Sequence, residues 1–240
     1  MSDLQDITRL PSDFAGQVRL FPLPELVVFP HAMQPLHIFE PRYCEMLVSA
    51  LQSDRLIAMA TLATGMTSFL TARPALEPIV CICKIVSHAE LENGTHNVLL
   101  VGAKRATLVR EIESGLAFRT AEIEVKPDVD FTNDAQKRLL LRASLLDAFA
   151  EVIPKSANIQ QNLHDLMAGQ MGLGPITDII SFTLGMSSEV KLKLLAEANV
   201  DRRASLLIRV LKSMASGEAP GNPRSGSRGN RDFPPPFSVN

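Results

Sequence analysis

Residues 20–51 read LFPLPELVVFPHAMQPLHIFEPRYCEMLVSAL, and this stretch decides how the rest of the chain is read. Four prolines, Pro22, Pro24, Pro30 and Pro35, punctuate short apolar runs. Each fixes φ and removes a backbone donor, which predicts short kinked strands instead of one long ladder. Pro41 suits the first position of a helix, and Glu40 before it can cap that helix or favour the positive end of its dipole. Tyr43, Met46, Leu47, Ala50 and Leu51 follow at helical spacing and form one apolar stripe.

Working outward, residues 1–17 are a polar lead-in and residues 18–127 read mostly as strand. The apolar run 56–63 is bounded by Asp54 and Gly65. Runs 78–91 and 95–101 flank Asn93-Gly94, which predicts a two-residue turn with positive φ at both positions. Runs 103–113 and 116–125 continue the meander. In the last run Ala117, Arg119, Ala121, Ile123 and Val125 share one side, and Phe118, Thr120, Glu122 and Glu124 are expected on an exposed one.

From residue 132 the period becomes helical. Thr132 or Asn133 suits the cap of a helix with Leu139, Leu146, Phe149 and Ile153 on its apolar face, ended by Pro154. A second helix is expected at 159–167, before the glycines Gly169, Gly172 and Gly174. Pro175 opens a third at 176–184. Ser187 or Ser188 caps a fourth, reaching 198, and Asp201 a fifth that carries Leu206, Leu207, Val210, Leu211 and Met214. Residues 132–214 thus read as a helical bundle. Residues 215–240, rich in Gly, Pro, Ser and Arg, are expected to stay unfolded for want of apolar surface. The fold class is α+β: an N-terminal β-rich module followed by a C-terminal helical bundle.

At 240 residues the chain makes one large domain or two small ones. A net charge of −2 gives no electrostatic ground for nucleic acid or membrane as a partner. No apolar run approaches the ~20 residues that span a bilayer. The acidic N-terminus has no apolar segment of the secretory kind. Three cysteines are an odd set, which argues against a disulfide framework and for a cytoplasmic, reducing setting.

Few residues carry chemistry. Cys81 and Cys83 alternate with Ile79 and Ile85 on a strand, so they read as small buried hydrophobes, with no common zinc spacing around them. His31 and His37 flank Pro35 in poor ligand geometry. His164 and Asp165 are neighbours on a helix and face apart. No nucleophile sits on a Gly-x-Ser-x-Gly turn, so no catalytic residue, metal or cofactor is assigned. Glu40, Arg42 and Tyr43 form the most chemical-looking cluster, yet capping and anchoring explain them without a ligand. Lys104-Arg105 and Arg202-Arg203 read as solvated pairs. Around Pro234–Pro236, Phe233 and Phe237 with Arg224, Arg228 and Arg231 suit polyproline II docking. Lacking a P-x-x-P pattern with an anchor, the segment reads as a solubilising tail.

The opening stretch resembles the start of the N-terminal substrate-binding domain of Lon proteases, a pattern of the type PLxxVVFPxxxxPLxIFExRYxxM. Pro22, Leu23, Val27, Val28, Phe29, Pro30, Pro35, Leu36, Ile38, Phe39, Glu40, Arg42, Tyr43 and Met46 match it. Residues 79–85 are similar to the family's next strand, 91–105 to its LPDGxxNVLLxGxxR hairpin, and 176–209 to its LADxxAFxL helical close. Val80 and Cys83 stand where the family often has smaller residues. The resemblance implies a PUA-like β module and a non-enzymatic domain that binds unfolded or exposed apolar polypeptide, as an adaptor or holdase with a protease or chaperone as partner. It also brings an RNA-binding alternative, by analogy with other PUA folds. No Walker-type G-x-x-x-x-G-K-[ST] loop and no Ser/Lys peptidase segment occurs, so the chain reads as a stand-alone binding domain. Pro30, Phe39, Glu40, Arg42 and Tyr43 then belong to the scaffold. The loop 64–78, with Met66, Phe69 and Leu70, is the expected adaptable peptide contact.

Overall fold

The kinked runs before Pro41 form two short strands, β1 (Gln17–Leu23) and β2 (Met33–Ile38). The computed structural model describes residues 8–63, 73–129, 135–153 and 171–217. Pro41 opens α1 (Pro41–Leu51), which buries Tyr43, Met46, Leu47 and Ala50 as its stripe predicts. Glu40 holds the N-cap position, but its side chain makes no cap hydrogen bond. Arg42 takes the carboxylate instead, donating from Nε at 3.0 Å and Nη2 at 2.8 Å. The expected cap is therefore an exposed ion pair.

Four further strands follow: β3 (Leu56–Leu62), β4 (Leu76–Glu90), β5 (His96–Ile112) and β6 (Arg119–Lys126). The sheet order is β2-β5-β4-β3-β1-β6, and β6 pairs back onto β5. Five strands thus close on themselves, with β1 and β3 parallel and the other neighbours antiparallel. β2 stays outside the ring on the edge of β5, where Pro35 can be tolerated.

β5 is one strand of 17 residues, where the sequence suggested two runs broken near Gly102. Gly102 is no break. The turn 29–32 lies directly on it, and two backbone bonds clamp the pair, His31 N–H to Gly102 O at 2.8 Å and Gly102 N–H to Ala32 O at 2.9 Å. The β4–β5 turn also differs from expectation. The Gly94 N–H closes onto the Leu91 carbonyl at 2.9 Å, and Gly94 alone takes positive φ (75°). Asn93 instead accepts from the Thr95 N–H at 3.1 Å, so the loop is three residues long and ends in a left-handed glycine.

Alternation sorts the strand residues between two apolar sets. Val18, Leu20, Leu56, Ala58, Ala60, Val80, Ile82, Ala106, Ala121 and Ile123 form the ring's own core. Its alanines fit the narrow interior of a small barrel. The alternate residues Ile57, Met59, Cys81, Cys83 and Ile85 pack with Phe21 and α1. Both cysteines are buried, and burial pushes the Cys81 thiol well up, so they are core residues. Phe118, expected on an exposed face, is buried in this second set. It precedes β6 and turns in toward Phe21 and Tyr43.

Among the described residues the later helices are α2 (Ala135–Val152), α3 (Leu173–Thr183), α4 (Ser188–Ala196) and α5 (Val200–Ala215). They bury a third apolar set against Val27, Phe29, Ala32 and Ile79 of the sheet region. In α2 the buried face is Leu145, Leu146, Ala148 and Phe149, while Leu139, assigned to it from sequence, is 65% exposed. Ser187 caps α4, accepting from the Val190 N–H. Asn199, not Asp201, caps α5, accepting from the Arg202 N–H at 2.9 Å. The expected helix at 159–167, the caps Thr132 and Asn133, His164 and Asp165 lie outside the described residues, as does the chain beyond 217.

Two of the four basic residues read as solvated are buried. Arg105 on β5 and Arg203 on α5 meet Asp178 of α3 and Asp128, which follows β6. Arg105 pairs with Asp128 and lies 2.7 Å from Asp178, while Arg203 reaches Asp128 at 2.8 Å and Asp178 at 3.1 Å. Spare donors go to carbonyls, Arg105 Nε to Leu195 O at 3.1 Å and Arg203 Nη1 to Glu197 O at 2.7 Å. Two positive and two negative groups cancel, which makes their joint burial tolerable. Burial still pushes the Asp178 carboxyl up and draws Arg105 down, against the attraction of their opposite charges.

His31 sits beside this cluster at φ 66°. Burial, reinforced by Lys104, Arg105 and Arg203, lowers its pKa from 6.5 to about 4. Above pH 6.5 the folded and unfolded chains both hold it neutral. As pH falls toward 4 the unfolded chain gains a proton that the folded one refuses, so stability is lost across that window. For this half-buried ring the loss is about 1 kcal/mol after allowance for solvent screening. Asparagine tolerates the positive φ. His31→Asn should therefore flatten urea midpoints between pH 6.5 and pH 4. Parallel acid losses in both proteins would show that His31 does not govern this window.

Candidate functional site

A groove of about 790 Å³ opens where the end of β1, the start of α1 and the β5–β6 turn converge. Pro22, Leu23 and Pro24 form one wall, and Glu40, Arg42 and Tyr43 enter from α1. Residues 112–118 form the opposite wall, with Leu116 53% exposed and Gly115 at φ 68°. Leu62, Arg73 and Pro74 line the remaining side.

The polar groups of the groove are largely paired with one another. Arg42 bonds Glu40 and lies over the Tyr43 ring, 4.5 Å from its centroid. The Tyr43 hydroxyl donates to the Pro22 carbonyl at 3.3 Å, and burial raises its pKa. Glu111 receives Arg119 and, at 2.8 Å, Arg73. Hydrogen bonding from Arg119, aided by its charge and by Arg73, holds the Glu111 carboxyl below the usual range. Arg119 also donates to the Pro74 carbonyl at 2.9 Å. These pairs fix the groove's wall to the root of the 64–72 segment, where Ala63 N–H meets Ala75 O at 2.9 Å.

The structure therefore sets Glu40 and Arg42 at one open surface, with the buried Tyr43 ring beneath Arg42. Pro30 is buried in the turn over Gly102. Phe39 is 65% exposed and stacks on His37 with ring centroids 6.1 Å apart, so it packs into no core. Met66, Phe69 and Leu70 lie outside the described residues, and the groove adjoins the two ends of their segment. Sequence reasoning missed the wall at 112–118. Its one local signal is Leu116, an apolar residue next to Ser114 and Gly115 in a turn.

Among the described residues, no group of three His, Cys, Asp or Glu is placed to hold a metal ion. No described helix is long and apolar enough to cross a membrane. A second depression of similar size lies between α2 and α5, lined by Leu140, Leu141 and Leu206 among charged residues.

Residues 17–213, which include the sheet, α1 and almost all of the four later helices, match the family described as the substrate-binding domain of ATP-dependent protease La (Lon). The chain belongs to this family. A Lon protease of Heliobacterium modesticaldum is 27% identical over 199 residues, covering 81% of this chain and 24% of that protein. Lon protease 1 of Bacillus subtilis is 26% identical over 202 residues, covering 83% and 25%. The chain thus spans about a quarter of the length of these curated relatives. The Lon N-terminal domain protein of Xanthomonas campestris has a similar fold, with TM-score 0.57, 19% identity and coverage of 80% of this chain and 97% of that one. The N-terminal domain of the Mycobacterium avium complex Lon protease gives TM-score 0.59, 15% identity and coverage of 82% and 98%. The α+β architecture is that of the Lon N-terminal domain, and membership assigns the chain a substrate-binding role.

Proposed function

We propose that this Lon-type domain is a non-enzymatic module that takes extended, apolar segments of unfolded or partly folded polypeptide into the groove beside α1. The observation that carries this reading is the groove's make-up. Pro24, Pro74 and the exposed Leu116 offer apolar contact, and the charged side chains beside them, Arg42 with Glu40 and Arg73 with Glu111, are already paired with each other, so docking a chain there leaves no new charge without its partner. Such a surface accepts many sequences and demands none, as an adaptor or holdase in the cytoplasm requires. A protease or chaperone is the partner that would receive the bound chain.

Binding of a fluorescent, reduced and carboxymethylated polypeptide tests this. Leu116→Asp places a charge on an exposed turn, so the melting temperature should hold while affinity falls about tenfold, the effect of ~1.4 kcal/mol. Unchanged affinity would remove the groove from the site. Structured RNA over a salt series is the control: affinity for RNA falling steeply with salt, without polypeptide binding, would replace this reading with the nucleic-acid one.

A further inference from the structure

We infer that the outer edge of β2 is a guarded surface, which Pro35 and Gln34 close to strand addition by a second copy of the chain or by an extended substrate. The inference goes beyond the groove reading and stands whether or not the groove binds polypeptide.

In other respects this edge suits strand addition. β5 is the one strand neighbour of β2 among the described residues, so the far side of β2 carries no partner strand. The run from Ala32 to Phe39, AMQPLHIF, contains no Lys, Arg, Asp or Glu. Met33 is 53% exposed, and Phe39 stands out beyond the end of the strand. A short, uncharged, partly apolar strand on an open edge invites main-chain pairing with any extended chain. Charged side chains commonly prevent this, lysine above all, and β2 has none.

Backbone alternation shows what stands in their place. Pairing with β5 runs unbroken from Met33 opposite Val101 to Ile38 opposite His96. In such a ladder alternate residues turn both N–H and C=O toward the neighbouring strand, and the residues between turn both away. Pro35 has no N–H to give Leu99, so it belongs to the outward set with Met33 and His37. Gln34, Leu36 and Ile38 then make the bonds to β5. An incoming strand would find N–H donors at Met33 and His37 and none between them. The Pro35 carbonyl also points outward, and it is already engaged, since Gln34 Nε2 donates to it at 2.7 Å. Gln34 is only 5% exposed, so packing holds that amide in place. The middle of the edge therefore offers no donor and a carbonyl already taken. A strand laid there would leave its own central groups unpaired, which costs more than the flanking bonds return. Bound polypeptide is thus kept out of the sheet and held by side-chain contact elsewhere.

Opening the guard tests the inference. Pro35→Val with Gln34→Met restores the donor and frees the carbonyl. Neither altered group bonds β5, so the melting temperature should hold. In sedimentation the double variant should self-associate at least about tenfold more tightly than wild type, the effect of one or two regained hydrogen bonds. Amide exchange at Met33 and His37 should slow in the associated variant. In wild type it should stay fast, with or without the carboxymethylated polypeptide. Equal self-association of the folded variant and wild type would overturn the inference. So would exchange at Met33 and His37 that slows in wild type when polypeptide is added. If the double variant loses its fold, Pro35→Val alone makes the same comparison with Gln34 left in its packed place. A wild type that binds no polypeptide would remove the groove reading and leave self-association to decide this one.

Discussion

Replacing Gly102 with alanine is expected to cost at least about 3 kcal/mol and to leave little folded protein at 37 °C. A Cβ at this position would overlap the Phe29 carbonyl oxygen, with the Phe29 carbonyl carbon at 2.7 Å and the Pro30 Cα at 3.1 Å. All three are backbone atoms, so no rotamer change relieves the clash. The turn would have to lift, and lifting it breaks both bonds between Gly102 and residues 31 and 32. It would also withdraw Phe29, which is fully buried against the helices. One methyl group therefore acts on the join between sheet and helices. Urea unfolding of G102A is the measurement, and a cost below about 1 kcal/mol would show that the turn rides over β5 with room to spare.

The second large effect is expected at Arg203. Its side chain is wholly buried, and Arg203→Ala strips a partner from Asp128, Asp178 and the Glu197 carbonyl at once. Breaking one member of a buried charge cluster typically costs about 3–5 kcal/mol, because the remaining charges are left uncompensated. Among the described residues Asp178 Oδ2 already has no hydrogen-bond partner, which leaves little to absorb the loss. The charge-balanced pair Asp178→Leu with Arg203→Leu removes one anion and one cation together and should recover much of the stability. The comparison separates electrostatic balance from packing. If the single change cost no more than the double one, the cluster would be held by its packing alone.

What could be read from sequence divides by range. The stripe of α1 and the burial of Cys81 and Cys83 follow from local periodicity, which the backbone alone dictates. The matching motifs named the right residues without showing what joined them. Phe29 and Pro30 belong to the first motif, Gly102 and Arg105 to the hairpin, and Asp178 to the helical close, and the folded chain brings these segments into contact. Arg105 looked solvated because its partner Asp178 lies 73 residues away. A basic pair carries no mark of an acidic partner elsewhere in the chain. Asp201 and Asn199 are both good capping residues, and the choice fell to Asn199, whose own N–H is held by Glu197 at 2.9 Å. The groove was half visible. Glu40, Arg42 and Tyr43 stood out, but its facing wall at 112–118 is roughly seventy residues on, and only the closed ring places the two opposite each other.

That ring has a bearing on how the chain is made. Its first strand closes against its last, Gln17 to Leu20 pairing with Glu122 to Arg119, about 100 residues later. On the ribosome, at roughly 5–20 residues per second, β1 must wait several seconds or more for that neighbour to emerge. During the wait one edge of β1 is unpaired, and an unpaired edge invites association with other nascent chains. β1 is only seven residues long, and Pro22 withholds a donor near its end. The kinks that made the opening stretch recognisable also make it a poor template for aggregation while the ring is still open.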